Sequence, residues 1–183
     1  MSDQITIALD AMGGDDAPHI VVAGANIARR RHPDARFVLF GDEEDLAARV
    51  AKQRGLKDFV EIRHAPEGVA ADAKPSQVVR SGRETSMWRA IEAVKQGEAA
   101  GVVSAGNTGA LLAMAMFVLK RLEGIDRPAI ASFFPTLRGE TVMLDLGANI
   151  RCSERNLVEF AIMGEVFART ILGIENPTVG LLN

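Results

Sequence analysis

Residues 5–18 read Ile-Thr-Ile-Ala-Leu-Asp-Ala-Met-Gly-Gly-Asp-Asp-Ala-Pro. The stretch passes from a short apolar run into a polar loop with two glycines, and its proline suits the first position of a helix. A short apolar run of this kind is typical of a strand buried on both faces, as in parallel sheets. The stretch therefore predicts a strand over residues 5–9, a loop over 10–17 and a helix from Pro18 to about Arg31.

The same alternation continues along the chain. We predict further strands at residues 36–40, 59–63 and 101–103, and helices at residues 43–54, 85–96 and 107–122. Residues 64–77, with two prolines and Gly68, are predicted to form an irregular loop over a site. Strands that alternate with helices indicate an α/β fold in which a mostly parallel sheet is covered by helices on both faces.

The last third of the chain departs from this alternation. Two strands, near residues 129–134 and 141–144, follow one another without a helix and favour an antiparallel hairpin or an excursion. Ser153 is predicted to cap a helix that runs to Leu172 and carries apolar residues at helical spacing. Residues 179–182 predict one more strand. The apolar helical positions are Leu157, Phe160, Ala161, Phe167, Ala168 and Ile171.

Composition excludes several classes of protein. The chain has 183 residues, 48% of them apolar, and a formal net charge of −3, so nothing points to nucleic acid. The single cysteine, Cys152, cannot form a disulfide within the chain or a cysteine-rich zinc site. The longest apolar run, residues 110–119, would rise only about 15 Å as a helix, half of a bilayer core. We therefore expect one α/β lobe over residues 1–183 of a cytoplasmic protein without a signal peptide.

Three loops that follow predicted strands share one chemistry. They are Asp10-Ala-Met-Gly-Gly-Asp-Asp-Ala-Pro18, Ser104-Ala-Gly-Asn-Thr-Gly-Ala110 and Asp145-Leu-Gly-Ala-Asn149. Each combines glycine and small residues with Asp or Asn. Because ligands of open α/β sheets bind outside the carboxyl ends of the strands, these loops are candidate binding elements.

The second loop carries the clearest signal. Gly106 and Gly109 allow the backbone to approach a ligand, and Asn107 and Thr108 offer side-chain donors. The helix that begins there directs unpaired N–H groups and the positive end of its dipole at the loop, which suits an anion. An ordinary strand-to-helix turn with an Asn or Thr cap explains the same residues. The occurrence of three such loops in one chain favours a phosphate or carboxylate ligand.

Familiar nucleotide and nucleophile motifs are missing from the sequence. It contains no Walker A motif, no Gly-x-Gly-x-x-Gly after a strand and no Gly-x-Ser-x-Gly elbow around Ser104. The three histidines lack metal-ligand spacing, and neither a metal nor a cofactor is predicted. Cys152 is expected to be a buried, inert thiol rather than a nucleophile. Arg80 and Arg83 follow the irregular loop and could face an anionic substrate.

At these loops the sequence resembles the PlsX family of phosphate acyltransferases. The matching segments are spread along the whole chain and occur in the same order as in the family. They are Leu9-Asp-Ala-Met-Gly-Gly-Asp15 with Pro18, Arg80 with Ser86-Met87, Ser104-Ala-Gly-Asn-Thr-Gly-Ala110, Leu144-Asp-Leu-Gly-Ala-Asn149 with Cys152, and Gly180-Leu-Leu-Asn183.

The resemblance implies a fold similar to that of phosphotransacetylases and isopropylmalate dehydrogenases. It also implies transfer of an acyl group from an acyl carrier protein thioester to inorganic phosphate, which supplies acyl-phosphate for phospholipid synthesis. Family members look like homodimers that associate peripherally with the membrane. They are longer than this chain, so we expect it to be the N-terminal half of an enzyme and, by itself, an inactive oligomer or marginally stable lobe.

The implied chemistry assigns roles to the loop residues. Phosphate is the nucleophile, so the protein has only to hold it beside the thioester and stabilise an oxyanion. Asn107 and Asn149 are predicted donors, while Asp10 and Asp145 are predicted to orient loop N–H groups, asparagines or a basic residue. Predicted phosphate- and substrate-binding residues are Gly13, Gly14, Arg80, Ser86, Ser104, Ala105, Gly106, Thr108, Gly109, Asp145 and Gly147.

Two other functions stay open on the residues alone. One is an enzyme of the same fold with a different substrate, either an acetyl-CoA-dependent phosphotransacetylase or a metal-dependent hydroxyacid dehydrogenase. The other is a non-catalytic lobe that only binds anions or a partner. Offering the full-length protein acyl carrier protein thioester, acetyl-CoA or isopropylmalate would distinguish these functions.

Overall fold

A computed structural model describes residues 4–137 and 139–182 and divides the chain into two units, with the boundary between Lys120 and Arg121. Residues 1–3, and Asn183, which ends the last resemblance segment, lie outside the described residues. The expectation of one lobe over residues 1–183 stays a prediction.

The first unit is an α/β sheet layer with helices on both sides. Its four parallel strands lie in the order β3-β2-β1-β4. The strands are β1 (Ile5–Asp10), β2 (Ala35–Gly41), β3 (Val60–His64) and β4 (Gly101–Val103). The helices are α1 (His19–Arg31), α2 (Glu43–Ala51), α3 (Pro75–Ser81), α4 (Ser86–Lys95) and α5 (Thr108–Val118).

Side chains that point alternately to the two faces of the strands form a core on each face of the sheet. On one face, Leu9 and Leu39 pack in a cluster with Val22 of α1 and Leu46 of α2. On the other face, Ala8, Val38 and Phe40 pack with Ala90 and Ala93 of α4. Successive side chains of a strand point to opposite faces, so a strand buried on both sides needs an apolar residue at every position. This arrangement confirms the predicted parallel sheet with helices on both faces.

The strand order places the carboxyl ends of β1 and β4 side by side. The chain moves outward from β1 to β2 and β3 and then returns to the opposite side of β1, where Leu9 pairs with Val103. Such a reversal leaves a crevice outside the carboxyl ends of the two strands, and ligands of open α/β sheets bind there. Two of the three candidate loops begin at this position.

The second unit contains the predicted hairpin and the predicted long helix. Strands β5 (Ser132–Thr136) and β6 (Gly139–Met143) pair antiparallel, and α6 spans Glu154–Leu172. The Ser153 side chain accepts from the Asn156 N–H, and the Asn156 side chain accepts from the Ser153 N–H, forming a capping box. Gly173 ends the helix in the left-handed conformation at φ 68°.

Four sequence predictions need correction. The expected irregular stretch at residues 64–77 contains the start of α3, with Pro75 at its first turn. Helix α2 stops at Ala51 rather than at residue 54. Helix α5 stops at Val118 rather than at residue 122, because Lys120 adopts a left-handed backbone at φ 67°. Residues 179–182 are not a strand, since no described segment pairs with their backbone.

The apolar stripe of α6 is only partly covered within the described residues. Phe160 and Ala168 are buried, whereas Leu157 is 40% exposed and Ile171 59% exposed.

Among residues 4–137 and 139–182, no helix combines the length and the apolar character needed to cross a membrane.

Candidate functional site

The buried carboxylate of Asp10 lies at the crevice between β1 and β4. Asp10 is the last residue of β1 and is only 1% exposed. Its Oδ1 accepts a hydrogen bond of 2.5 Å from the Ser86 hydroxyl, and its Oδ2 accepts one of 2.7 Å from the Ser104 hydroxyl. No basic side chain of the described residues forms an ion pair with it. Hydrogen bonds therefore take the place of a counter-charge.

Asp10 orients the second loop through Ser104. The Ser104 Oγ, held by Asp10, accepts a hydrogen bond of 3.0 Å from the Gly106 N–H. The carboxylate thus joins the end of β1, the first turn of α4 and the loop after β4. Through Ser104, Asp10 thus holds one loop N–H group in place, and its role toward a ligand stays a prediction.

Glycine is required where the first two loops touch. A methyl group added to Gly13 would lie 2.4 Å from the Asp10 Oδ2 and 2.9 Å from the Ser104 Oγ. A methyl group added to Gly106 would lie 3.2 Å from the Cα of Gly13. Gly14 adopts φ +104°, which side-chain-bearing residues rarely adopt. The loops are therefore packed backbone against backbone.

The first turn of α5 offers N–H groups beside these loops. Asn107 caps the helix, and its Oδ1 accepts a hydrogen bond of 2.9 Å from the Ala110 N–H. No acceptor for the N–H groups of Thr108 and Gly109 is present among the described residues. Free N–H groups at the positive end of a helix dipole suit an anionic ligand.

The side-chain amide of Asn107 is already bonded to the protein. Its Nδ2 donates to the carbonyl oxygens of Ala71, at 2.8 Å, and Ala73, at 3.1 Å. An amide nitrogen has two hydrogens, so these two bonds use both of them. In this arrangement Asn107 fastens the loop after β3 to the start of α5, and its direct contact with a ligand stays a prediction.

The loop after β3 lies against both glycine loops. The Glu67 carbonyl accepts a hydrogen bond of 2.8 Å from the Ser86 N–H. A methyl group added to Gly68 would lie 3.3 Å from the Met12 Cβ in the first loop. The sequence predicted a loop over a site at this position, but the carbonyls of Ala71 and Ala73 were missed. Nothing in the side chain of an alanine signals that its carbonyl will accept a tertiary hydrogen bond.

The first unit brings most of its predicted site residues together. Arg80 is the exception, because its exposed side chain on α3 enters none of the hydrogen bonds described above. The residues that form or line the two glycine loops are Asp10, Gly13, Gly14, Ser86, Ser104, Ala105, Gly106, Asn107, Thr108 and Gly109.

The third loop belongs to the second unit and is organised by Asp145. Its Oδ1 accepts a hydrogen bond of 2.8 Å from the Ile130 N–H, and its Oδ2 accepts one of 2.7 Å from the Asn149 N–H. The Asn149 Nδ2 donates to the same Oδ2 at 3.1 Å and to the Pro128 carbonyl at 2.9 Å. Gly147 between them adopts φ +90°. Asp145 therefore orients the loop backbone and an asparagine.

These contacts change the acidity of Asp145. Burial raises the pKa of the carboxyl group, but hydrogen bonds from Ile130 and Asn149 outweigh burial and leave the pKa below its ordinary value. The ionised form is therefore the one that the folded loop stabilises.

Cys152 lies at the surface, so the prediction of a buried thiol was wrong. Its Sγ is 3.9 Å from the Asn149 carbonyl oxygen, and the side chain is exposed. The residue immediately precedes the cap of α6, outside the apolar face of the helix. Among the described residues, no cluster of three or more His, Cys, Asp or Glu side chains could hold a metal ion.

Comparison with known proteins shows a family match and several similar proteins. A family model described as "Fatty acid synthesis protein" matches residues 5–183. A phosphate acyltransferase of Rhodospirillum rubrum is 62% identical over 183 residues, which are 100% of this chain and 52% of the relative. A phosphate acyltransferase of Rhodospirillum centenum is 63% identical over 183 residues, which are 52% of its length. One of Acidiphilium cryptum is 56% identical over 177 residues, which are 46% of its length. The chain spans about half the length of the curated relatives it matches.

The contact of the glycine loops predicts that Gly13→Ala destabilises the first unit. The added methyl group overlaps a buried carboxylate oxygen, and forced overpacking costs about 1–3 kcal/mol. The midpoint of urea unfolding should fall accordingly. Gly24→Ala is the matched control, because its methyl group meets no atom within 4 Å on helix α1. That control should unfold at the same or a higher urea concentration; equal midpoints for both variants would contradict the predicted overlap.

The lowered pKa of Asp145 predicts a pH-dependent cost for Asp145→Asn. A carboxyl group with a depressed pKa stabilises the fold above the unfolded value of about 3.9, and the stabilisation disappears as the pH falls through the folded pKa. The variant should therefore be less stable than the parent at pH 7. Below about pH 4 the free energies of unfolding of the two proteins should become similar. Chemical unfolding across this range measures the difference, with Asp34→Asn as the control for net charge. A difference in the free energy of unfolding between variant and parent that does not narrow in acid would contradict the stabilising role of the ionised Asp145.

Proposed function

The chain belongs to the fatty acid synthesis protein family, and we propose that it forms part of a phosphate acyltransferase. The enzyme would transfer an acyl group from an acyl carrier protein thioester to inorganic phosphate. The observation that carries the proposal is identity of 62% along the whole chain with a protein of that name. The acyl-phosphate product would enter fatty acid and phospholipid synthesis.

The reaction makes few demands on side-chain chemistry. A phosphate oxygen attacks the thioester carbonyl carbon, the C–O bond forms, the C–S bond breaks, and the carrier thiolate takes up a proton. Phosphate is already an anion, so no serine or cysteine of the enzyme has to act as nucleophile. Catalysis then depends on holding two reactants in contact and on stabilising the tetrahedral oxyanion.

The first unit offers a place for the phosphate. The N–H groups of Thr108 and Gly109 can donate to anionic oxygens, and the packed backbone at Gly13 and Gly106 keeps side chains away from the crevice. Asp10 would act by positioning, because Ser86 and Ser104 already occupy both of its oxygens. A bare carboxylate would repel phosphate, whereas this one is turned into the protein.

The two asparagines would contribute in the same indirect way. The amide nitrogens of Asn107 and Asn149 each donate to two protein oxygens, so each holds two chain segments together. Their use as direct oxyanion donors, and the contact of Arg80 with substrate, stay predictions. We also propose a cytoplasmic homodimer that associates peripherally with the membrane.

The test is product formation by the full-length protein. Incubation with acyl carrier protein thioester and inorganic phosphate should release free carrier thiol and yield acyl-phosphate, which hydroxylamine traps as a hydroxamate. Acetyl-CoA and isopropylmalate serve as alternative substrates. Efficient turnover of either alternative, without acyl-phosphate formation from the carrier thioester, would overturn the proposal.

A reaction with phosphate as nucleophile predicts that Cys152 is dispensable. Cys152→Ser should retain nearly all activity, and its stability should change by no more than about 0.5 kcal/mol because the side chain is exposed. Steady-state rates and intact-protein mass spectrometry after mixing with the thioester provide the measurement. An acyl group trapped on Cys152, together with an inactive variant, would indicate covalent catalysis instead.

A further inference from the structure

We propose that Lys74 supplies the positive charge that holds the phosphate beside the glycine loops. The inference rests on the proposed function in taking inorganic phosphate as the ligand of this crevice. It assigns a binding role to a residue that lies outside the loops singled out by the sequence, and it explains the two hydrogen bonds made by Asn107.

The backbone of Lys74 is held next to the first turn of α5 from both sides. The preceding residue, Ala73, accepts a hydrogen bond of 3.1 Å from the Asn107 Nδ2. The following residue, Pro75, has its Cγ 3.1 Å from the position that a methyl group on Gly109 would take. Lys74 therefore lies between two residues that contact the start of α5.

The ammonium group of Lys74 has no partner among the described residues. The side chain is exposed and makes neither an ion pair nor a hydrogen bond there. By contrast, two arginines of the same unit are paired, Arg49 with Asp45 at 2.8 Å and Arg63 with Glu61 at 2.7 Å. The Lys74 ammonium group is thus available to a ligand.

Acidic residues near the carboxyl ends of the strands favour a cation beside a bound phosphate. Asp15, Asp16 and Asp72 lie in the loops that follow β1 and β3, and each of these exposed carboxylates repels a phosphate anion. Helix N–H groups carry only partial positive charge. A lysine provides a compact charge on a flexible stem that can follow phosphate as it becomes an acyl-phosphate.

Arg80 is placed less favourably for this role. It lies six residues further along, which is about 9 Å along a helix and on a different side of it. Lys74 instead precedes α3 and adjoins the segment that Asn107 fastens. Asn107 would therefore act on phosphate through Lys74, as a positioning residue.

The experiment measures binding of inorganic phosphate to the full-length protein by isothermal titration calorimetry. Lys74→Met should raise the Kd for phosphate about ten- to a hundredfold, as expected for the loss of a hydrogen bond from a charged group. Lys74→Arg should restore binding to within about threefold, because the charge returns. Lys52→Met, which removes an exposed lysine at the end of α2, should leave the Kd unchanged. Urea unfolding of all three variants checks that the fold is intact.

Two further readouts separate the possible roles. Asn107→Ser retains a cap oxygen for the Ala110 N–H but removes the bonds to Ala71 and Ala73, so it should weaken phosphate binding with the lysine still present. In turnover, Lys74→Met should raise the KM for phosphate more than it lowers kcat.

The outcomes distinguish this inference from the proposed function. Unchanged phosphate affinity in Lys74→Met, or no saturable phosphate binding by the parent protein, would overturn the role of Lys74. Phosphate binding that depends on Lys74, in a protein that forms no acyl-phosphate, would support the inference and contradict the proposed reaction. Acyl-phosphate formation by the parent protein, with an unchanged KM for phosphate in Lys74→Met, would support the proposed reaction and contradict the role of Lys74.

Discussion

A carboxylate buried without a cation needs hydrogen-bond donors, and the arrangement of the first unit follows from how Asp10 obtains them. The two hydroxyl groups come from Ser86 and Ser104, which are distant from Asp10 in the chain. Only a sheet in which β4 lies beside β1 brings Ser104 to this position. The bonds therefore connect the strand order to the loop geometry, because loss of either donor leaves a buried charge under-solvated.

This constraint also shapes the surface that faces a ligand. With its carboxylate turned into the protein, Asp10 presents backbone rather than charge to the crevice. Glycine at positions 13 and 106 lets the loops meet backbone to backbone, and α5 begins directly beyond them. The result is a surface of glycine backbone with free N–H groups at a helix terminus, which suits an anion.

The second unit repeats the principle with different partners. Asp145 accepts from two backbone N–H groups and from an asparagine amide, and Asn149 donates back to Pro128. In both units an acid of the predicted site holds a loop in shape rather than presenting a free carboxylate. Such positioning groups would suit the proposed reaction, because its nucleophile comes from solution and has to be oriented.

Local sequence determined the elements and their caps. Local patterns predicted the strands at Ile5–Asp10 and Gly101–Val103, the cap at Ser153 and the glycine loops, because each depends on neighbours a few residues away. Tertiary structure alone decided that Ser86 meets Asp10, that the Asn107 amide binds Ala71 and Ala73, and that Cys152 is exposed. It also decided that the apolar residues 179–182 are not a strand, since strand formation requires a paired neighbour. Contacts between distant residues follow from strand order and loop packing, and no local pattern encodes these.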